Sequence, residues 1–474
     1  MTMGMGMQVT PLRTIVRTTT AETTTARTTR RHSARTFTIP RAHPEEVENS
    51  PKFDSEASTY EASTPYSNES QSSLTFQSKP NLSQGSQEHK KGSHGSQGSR
   101  KPLLIVPGFG GSILVKTGME RKRVFAKQKR ILDNRWLNIA PLSPRRMDQW
   151  NAEMTGRRTE GTIQGLEFDM SIRPLEGIRG IIDMVPEFEL LTTTHQDWLD
   201  LNFNYKYFGH LVRALKDDGY VEDIDLCAAP YDFRAILDPT YRARWFNDLQ
   251  IAIEGAKGKC VVLCHSLGAI LFKWFLSTHV SAEWAHKHVD RFICVNAPFG
   301  GTTVALKAMY NGEYFIPIFA KQFQAGLQLN SGILMCLPNE YAYRPDEILG
   351  VLESRFAGLD SSYIGCNTLK KTSTAWRDLY APHLPAIMTP IDVPAHIVTT
   401  GNIDTLQTFR MRTTGEAEDV AYEPGDGQVA ARSLRVAHDL FVGADTFHTH
   451  ILDCSHIAAV SDPRLIQLVR EALG

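Results

Sequence analysis

Val261-Val262-Leu263-Cys264-His265-Ser266-Leu267-Gly268-Ala269-Ile270 is the stretch that decides the fold. A β-branched, apolar run leads into Cys-His-Ser-Leu-Gly, and an apolar run with helical spacing continues through Leu271, Trp274, Phe275 and Leu276. The pattern predicts a strand, a sharp turn and a helix, with a serine at the apex, the arrangement of a nucleophile elbow. The consensus is Gly-x-Ser-x-Gly, and Cys264 stands where the first glycine belongs. Small residues two before and two after the serine let strand and helix pass closely, and cysteine is small enough for that.

The sequence around the elbow repeats the same grammar. Leu103-Leu104-Ile105-Val106 reads as a buried strand, followed by the glycine-rich turn Pro107-Gly108-Phe109-Gly110-Gly111-Ser112. This turn lacks the Gly-Lys-Ser/Thr ending of a phosphate-cradling loop. Upstream of an elbow, it is where such a fold supplies an oxyanion-binding N–H. Phe208, Leu211, Val212 and Leu215 have helical spacing and stop at Gly219; Ile224 to Ala229 reads as a strand; Phe246, Leu249 and Ile253 mark another helix. Phe292 to Asn296 and Ala395 to Thr400 read as further strands, and Leu465, Ile466, Leu468, Val469 and Leu473 as a C-terminal helix. Alternating strands and helices predict an α/β fold with a mostly parallel sheet. Ligands of such sheets bind at the carboxyl ends of the strands, so the turns after Val106, Ala229, Cys264 and Asn296 should share one crevice.

Two stretches break the rhythm and read as cap insertions, at about 116–200 and 303–390. The first is basic at its start, with Lys116, Arg121, Lys122, Arg123, Lys127, Lys129, Arg130 and Arg135. It then carries Trp136, Trp150, Phe168, Met184, Val185, Phe188, Leu190 and Leu191. Such a cap suits an anionic lipid surface. Residue by residue, an ordinary solvated face over a small satellite core is the commoner outcome.

A serine hydroxyl is a poor nucleophile until a base takes its proton, and the base must be oriented by a third group. Downstream of Ser266 lie Asp426, between Gly425 and Gly427, and His456 in Cys454-Ser455-His456-Ile457. The order Ser, Asp, His is that of α/β-hydrolases. Asp404 and Asp445 are alternative acids, but the glycines around Asp426 permit the tight turn that aims it. His448, His450, Asp453 and His456 also suggest metal ligands, although alternating histidines on a strand are more often structural. No metal or cofactor is expected. His265, inside the elbow, is expected to be structural and to point away from the nucleophile's side.

The bulk numbers set limits. The 474 residues suffice for one large domain with appendages, and a net charge of −1 argues against nucleic-acid binding. No apolar run reaches the roughly 18 residues of a membrane span, so no transmembrane helix is expected. The seven cysteines are an odd number without close spacing, which suits a reducing compartment and predicts no disulfide framework. Residues 1–100 are rich in Thr, Ser, Gln, Gly and Pro, and read as a disordered tail before a catalytic domain at 101–474. Arg13, Arg17, Arg27, Arg30, Arg31, Arg35 and Arg41 face one early acid, Glu22, a balance shared by organelle transit segments and plain basic tails. The expected location is intracellular, soluble or peripheral to a membrane.

Taken together, these residues resemble the lecithin:cholesterol acyltransferase family, which includes phospholipid:diacylglycerol acyltransferases and plant and lysosomal phospholipases A. The marks are Val106 to Ser112, Ala228-Ala229-Pro230-Tyr231-Asp232-Phe233-Arg234, His265 to Gly268, Asn296 to Gly301, and Tyr422 to Val429. Gly110-Gly111-Ser112-Ile113-Leu114 is most similar to the plant phospholipase branch. The resemblance implies an α/β-hydrolase fold, an acyl-enzyme on Ser266, His456 as base, Asp426 orienting it, and an oxyanion hole from the N–H groups of Phe109 and Leu267. It implies a glycerophospholipid as acyl donor and a lipid alcohol or water as acceptor, with peripheral membrane contact. Four features depart from the family pattern. No cysteine lies between 116 and 200, so the lid disulfide of secreted members is missing. The membrane anchor of the diacylglycerol acyltransferases is missing too. Phe109 stands where the lysosomal enzyme has an aspartate, and Gln428 replaces the usual threonine. The alternative reading is a non-catalytic lipid-binding protein that keeps the fold.

Overall fold

The computed structural model describes residues 100–116, 153–154, 157–158, 166–181, 207–314, 324, 326–353 and 362–474. The tail read from residues 1–99 lies outside the described residues. So do the basic run from Arg121 to Arg135 and the apolar residues Trp136, Trp150, Met184, Val185, Phe188, Leu190 and Leu191.

Six strands form the central sheet: β1 (Leu103–Val106), β2 (Leu226–Ala228), β3 (Cys260–His265), β4 (Val289–Val295), β5 (Ala395–Gly401) and β6 (Phe447–Leu452). Their order is β6-β5-β4-β3-β1-β2, and every neighbouring pair runs parallel. β1, β2 and β3 are buried at every residue, as strands covered on both faces must be. That is why they read as continuous apolar runs rather than alternating ones. Chain order reverses across β1, whose neighbours are β2 and β3, and the carboxyl ends there open a crevice. The register sets Val106 beside Cys264 and His265 beside Val295, so the turns that follow converge. This is the α/β-hydrolase fold.

The helices are started by local chemistry. Asp238 caps Pro239–Glu254 by accepting the Tyr241 N–H, with proline at the first helical position. Asp462 and Pro463 start the C-terminal helix Pro463–Leu473 in the same way, and Leu465, Leu468, Val469 and Leu473 form its buried face. The helix after the elbow, Leu267–Thr278, is buried without a break from Leu267 to Leu276. That run includes Lys273, whose amine donates to Ser277 Oγ (2.7 Å) and to the Thr389 carbonyl (2.6 Å). Burial pulls the Lys273 pKa down to about 7.

A second sheet was not foreseen from the sequence. Ser362–Ile364, Gly350–Leu352, Ile403–Met411 and Ala417–Gly425 pair in that order, the last two as an antiparallel hairpin. The strands inside the second insertion thus continue into chain beyond residue 390. The hairpin ends at Gly425 and delivers Asp426 to the crevice.

The first insertion is fastened through a buried ion pair. Asp232 accepts from the Arg234 backbone N–H (3.0 Å), Nε (2.9 Å) and Nη2 (2.6 Å). Arg234 also donates to the carbonyls of Glu153, Asp169 and Ile172. Burial works to lower its pKa, but the Asp232 carboxylate outweighs this and holds it raised. Lys116 adds ion pairs to Glu153 (3.0 Å) and Asp169 (3.2 Å). Among the described residues no helix is long and apolar enough to cross a membrane.

Candidate active site

Ser266 sits between β3 and the helix Leu267–Thr278 with φ 53° and ψ −126°, a conformation that costs energy for any residue bearing a Cβ. Its N–H donates to the Val295 carbonyl (2.8 Å), and its own carbonyl accepts from Ala269 N–H (3.0 Å), so both sides of the strained residue are pinned. Two glycines make the turn possible. A Cβ on Gly268 would lie 2.4 Å from the Pro107 carbonyl oxygen and 2.7 Å from that of Val106. A Cβ on Gly108 would lie 2.9 Å from Ser266 Cβ. Strand end, glycine-rich turn and helix start therefore touch. Cys264 is fully buried in β3 between Val106 and Cys294, so a small side chain suffices there.

Asp426 and His456 meet Ser266. His456 Nε2 lies 2.9 Å from Ser266 Oγ, and His456 Nδ1 lies 2.7 Å from Asp426 Oδ2. Asp426 is fully buried, and its other oxygen accepts from the backbone N–H groups of Gln428 (3.0 Å) and Val429 (2.7 Å). The carboxylate can then offer only one oxygen to the ring. The backbone repeats the pairing: His456 N–H donates to the Asp426 carbonyl (2.9 Å). Asp404 and Asp445, the alternative acids, are both exposed, whereas the carboxylate bonded to His456 Nδ1 is that of buried Asp426. His448 and His450 are exposed on β6, where His448 packs on His438 (4.3 Å between centroids) and His450 bonds Thr399 (2.9 Å). Among the described residues no group of three or more His, Cys, Asp or Glu is placed to hold a metal ion.

Leu267 is the first residue of its helix, so its N–H has no carbonyl within the helix to pair with. In the glycine-rich turn, Gly111 N–H donates to the Gly108 carbonyl (3.1 Å). Because the peptide is trans, the Phe109 N–H points the opposite way from that carbonyl. The Phe109 ring packs edge-on against Phe233 and Tyr314, each 5.2 Å away. Thr302 Oγ1 donates to the Gln428 carbonyl, tying the turn after β4 to the Asp426 loop.

The expectation for His265 needs correction. It does not point away from the site: its Nε2 is 2.9 Å from the His456 carbonyl and its ring lies 4.9 Å from that of His456. Asn296, at φ 49°, donates to Thr400 Oγ1 (2.8 Å) and reaches the same His456 carbonyl (3.4 Å). Tyr207 bonds both His265 Nδ1 and the Gly108 N–H, and nothing in the spacing of the sequence marked it.

The family model described as lecithin:cholesterol acyltransferase matches residues 131–349, a span that includes Ser266 and ends before Asp426 and His456. Over that span the chain is similar to the lecithin:cholesterol acyltransferase family. Similarity extends to named members. The chain is 26% identical over 268 residues to the lysosomal phospholipase A and acyltransferase of Canis lupus familiaris, covering 53% of this chain and 60% of that protein. It is 26% identical over 373 residues to the phosphatidylcholine-sterol acyltransferase of Papio anubis, covering 74% and 79%. It is 25% identical over 321 residues to the lecithin-cholesterol acyltransferase-like 1 of Arabidopsis thaliana, covering 63% and 72%. The matched region thus spans about three fifths of the dog relative's length. The elbow, Asp426 and His456 come from three separate parts of the chain.

Proposed function

We propose that the chain is a serine-dependent lipid acyltransferase or phospholipase A working through an acyl-Ser266 intermediate. The observation that carries this reading is the hydrogen-bonded series Ser266 Oγ, His456 and Asp426, at 2.9 and 2.7 Å, standing on a strained elbow. His456 Nε2 takes the Ser266 proton as Oγ attacks a fatty-acyl ester of a glycerophospholipid. The N–H groups of Phe109 and Leu267 bind the oxyanion. Removing one such donor typically costs about 2.7–4 kcal/mol. His456 returns the proton to the departing lyso-lipid oxygen. A second hydroxyl then attacks the acyl-enzyme by the same route in reverse, and neither half-reaction calls for a metal or cofactor.

The names of the relatives, phospholipase A and acyltransferase in one case and a phosphatidylcholine-sterol acyltransferase in another, support a phospholipid as donor. Water as acceptor makes the reaction a hydrolysis, and a lipid alcohol makes it a transfer. The choice rests on how far the two insertions exclude water when a lipid is bound. The chain meets its lipid at a membrane surface, as the basic start of the first insertion suits.

The test is product analysis with the wild-type chain on vesicles of radiolabelled phosphatidylcholine, with and without a long-chain alcohol. Free fatty acid alone marks a phospholipase, and new ester in the presence of alcohol marks a transferase. No release from phosphatidylcholine, phosphatidylethanolamine or phosphatidylglycerol vesicles would overturn the proposal and favour a lipid-binding protein that keeps the fold.

A further inference from the structure

The three parts of the site are joined by a buried hydrogen-bond relay outside the Ser-His-Asp series. Gly108 N–H donates to Tyr207 Oη (2.9 Å), Tyr207 Oη bonds His265 Nδ1, and His265 Nε2 meets the His456 carbonyl (2.9 Å). Tyr207 and His265 are both buried, at 4% and 2% exposure. The direction of every bond follows from the last one. A carbonyl only accepts, so His265 Nε2 carries the proton. Burial, and behind it the nearby His456, hold the His265 pKa well below its ordinary value, so the ring is neutral and Nδ1 has a lone pair. Nδ1 therefore accepts the Tyr207 O–H, and the Tyr207 oxygen is left to accept the Gly108 N–H.

The two ends of this relay matter. At one end it fixes the Pro107–Gly108 peptide, next to the peptide that presents the Phe109 N–H. At the other it holds the backbone of His456, whose N–H is already bound to the Asp426 carbonyl. With the N–H and carbonyl both anchored, the direction of the His456 Cα–Cβ bond is held, and the Asp426 carboxylate then fixes the ring at Nδ1. Tyr207 is itself held to the segment after His456, since Ser461 Oγ donates to the Tyr207 carbonyl (3.1 Å). We infer that Tyr207 and His265 are positioning residues that set the oxyanion-binding turn and His456 in register with each other. They touch no substrate and act through Gly108 and His456. This inference rests on the proposed role of Ser266.

The experiment follows the rate at which a fluorophosphonate probe labels the full-length chain, with the labelled residue mapped by peptide mass. The probe needs an activated serine and an oxyanion site but no particular lipid, so its rate reads register directly. Tyr207→Phe removes one oxygen and should slow labelling of Ser266 at least about tenfold, approaching the 10²-fold lower bound for loss of an oxyanion donor. Its melting temperature should stay within a few degrees of wild type. His265→Gln keeps an N–H near the His456 carbonyl, whereas His265→Leu does not. His265→Gln should therefore recover part of the rate that His265→Leu loses, whatever their shared loss of stability. Wild-type rates in Tyr207→Phe overturn the relay alone, as do equal rates in the two His265 variants should Tyr207→Phe fail to fold. Failure of the wild-type chain to label at Ser266 overturns the reading of the serine itself, and the relay with it.

Discussion

Asp426→Asn changes one atom of the site, and the surrounding bonds dictate its result. Asp426 Oδ1 accepts two backbone N–H groups, from Gln428 and Val429. An asparagine must keep its carbonyl oxygen there, because its amide nitrogen would meet two donors. The amide NH₂ then faces His456 Nδ1, which the carboxylate oxygen Oδ2 faces at 2.7 Å. Nδ1 is forced to accept, the ring proton moves to Nε2, and Nε2 can no longer take the proton of Ser266 Oγ. The wrong tautomer in a triad of this geometry lowers turnover by about 10⁴-fold. That is roughly 5 kcal/mol of lost transition-state stabilisation at 1.36 kcal/mol per tenfold. The volume is unchanged and Asp426's backbone bonds remain, so stability should move little. The assay is hydrolysis of a p-nitrophenyl acyl ester, where the fall should appear in kcat with KM nearly constant. A loss below tenfold, in a variant melting at the wild-type temperature, would refute this assignment of the acid.

Other perturbations probe the supports of the site. Lys273→Met should stabilise the chain most at low pH. The folded pKa of Lys273, about 7, lies below its ordinary 10.5, so the unfolded chain binds more protons between those values and wild-type stability climbs with pH there. The advantage of the variant in urea unfolding should therefore be flat below pH 7 and shrink by about 1.4 kcal/mol per pH unit above it; an advantage independent of pH contradicts the burial of a neutral amine. Asp232→Ala strands the Arg234 charge among carbonyls and should cost about 3–5 kcal/mol by denaturant titration, while Asp232→Leu with Arg234→Met should cost less. Gly268→Ala sets a methyl 2.4 Å from the Pro107 oxygen, which predicts a loss of about 1–3 kcal/mol in the same titration and slower labelling of Ser266.

Much of this arrangement is legible from residue pattern alone, for physical reasons. β1 and β3 are buried at every residue and β4 and β5 at most of theirs, and their apolar runs can be read without knowing their neighbours. The elbow is legible because a strained turn between strand and helix admits few residues. Asp426 stands out among three acids because Gly425 and Gly427 frame it, and the structure brings it alone of these to His456. The hairpin Ile403–Met411 and Ala417–Gly425 was not legible: its outer strand is largely exposed, and Glu418, Asp419 and Glu423 interrupt any apolar pattern. Tyr207 and His265 were missed or misread because their partners are distant in sequence, 99 residues for Gly108 and 191 for His456. No local spacing encodes a bond of that kind. Lys273 is a similar case: a helix buried all round offers no periodicity to show that its one amine points inward.

The most direct measurement is acyl release from radiolabelled phosphatidylcholine vesicles by wild-type chain and by Ser266→Ala, each confirmed folded by its melting temperature. If Ser266 is the atom that accepts the acyl group, release should fall by about 10³-fold or more in the variant, as it does when a triad nucleophile is removed. Release that continues at the wild-type rate from the folded Ser266→Ala chain would contradict the acyl-serine route.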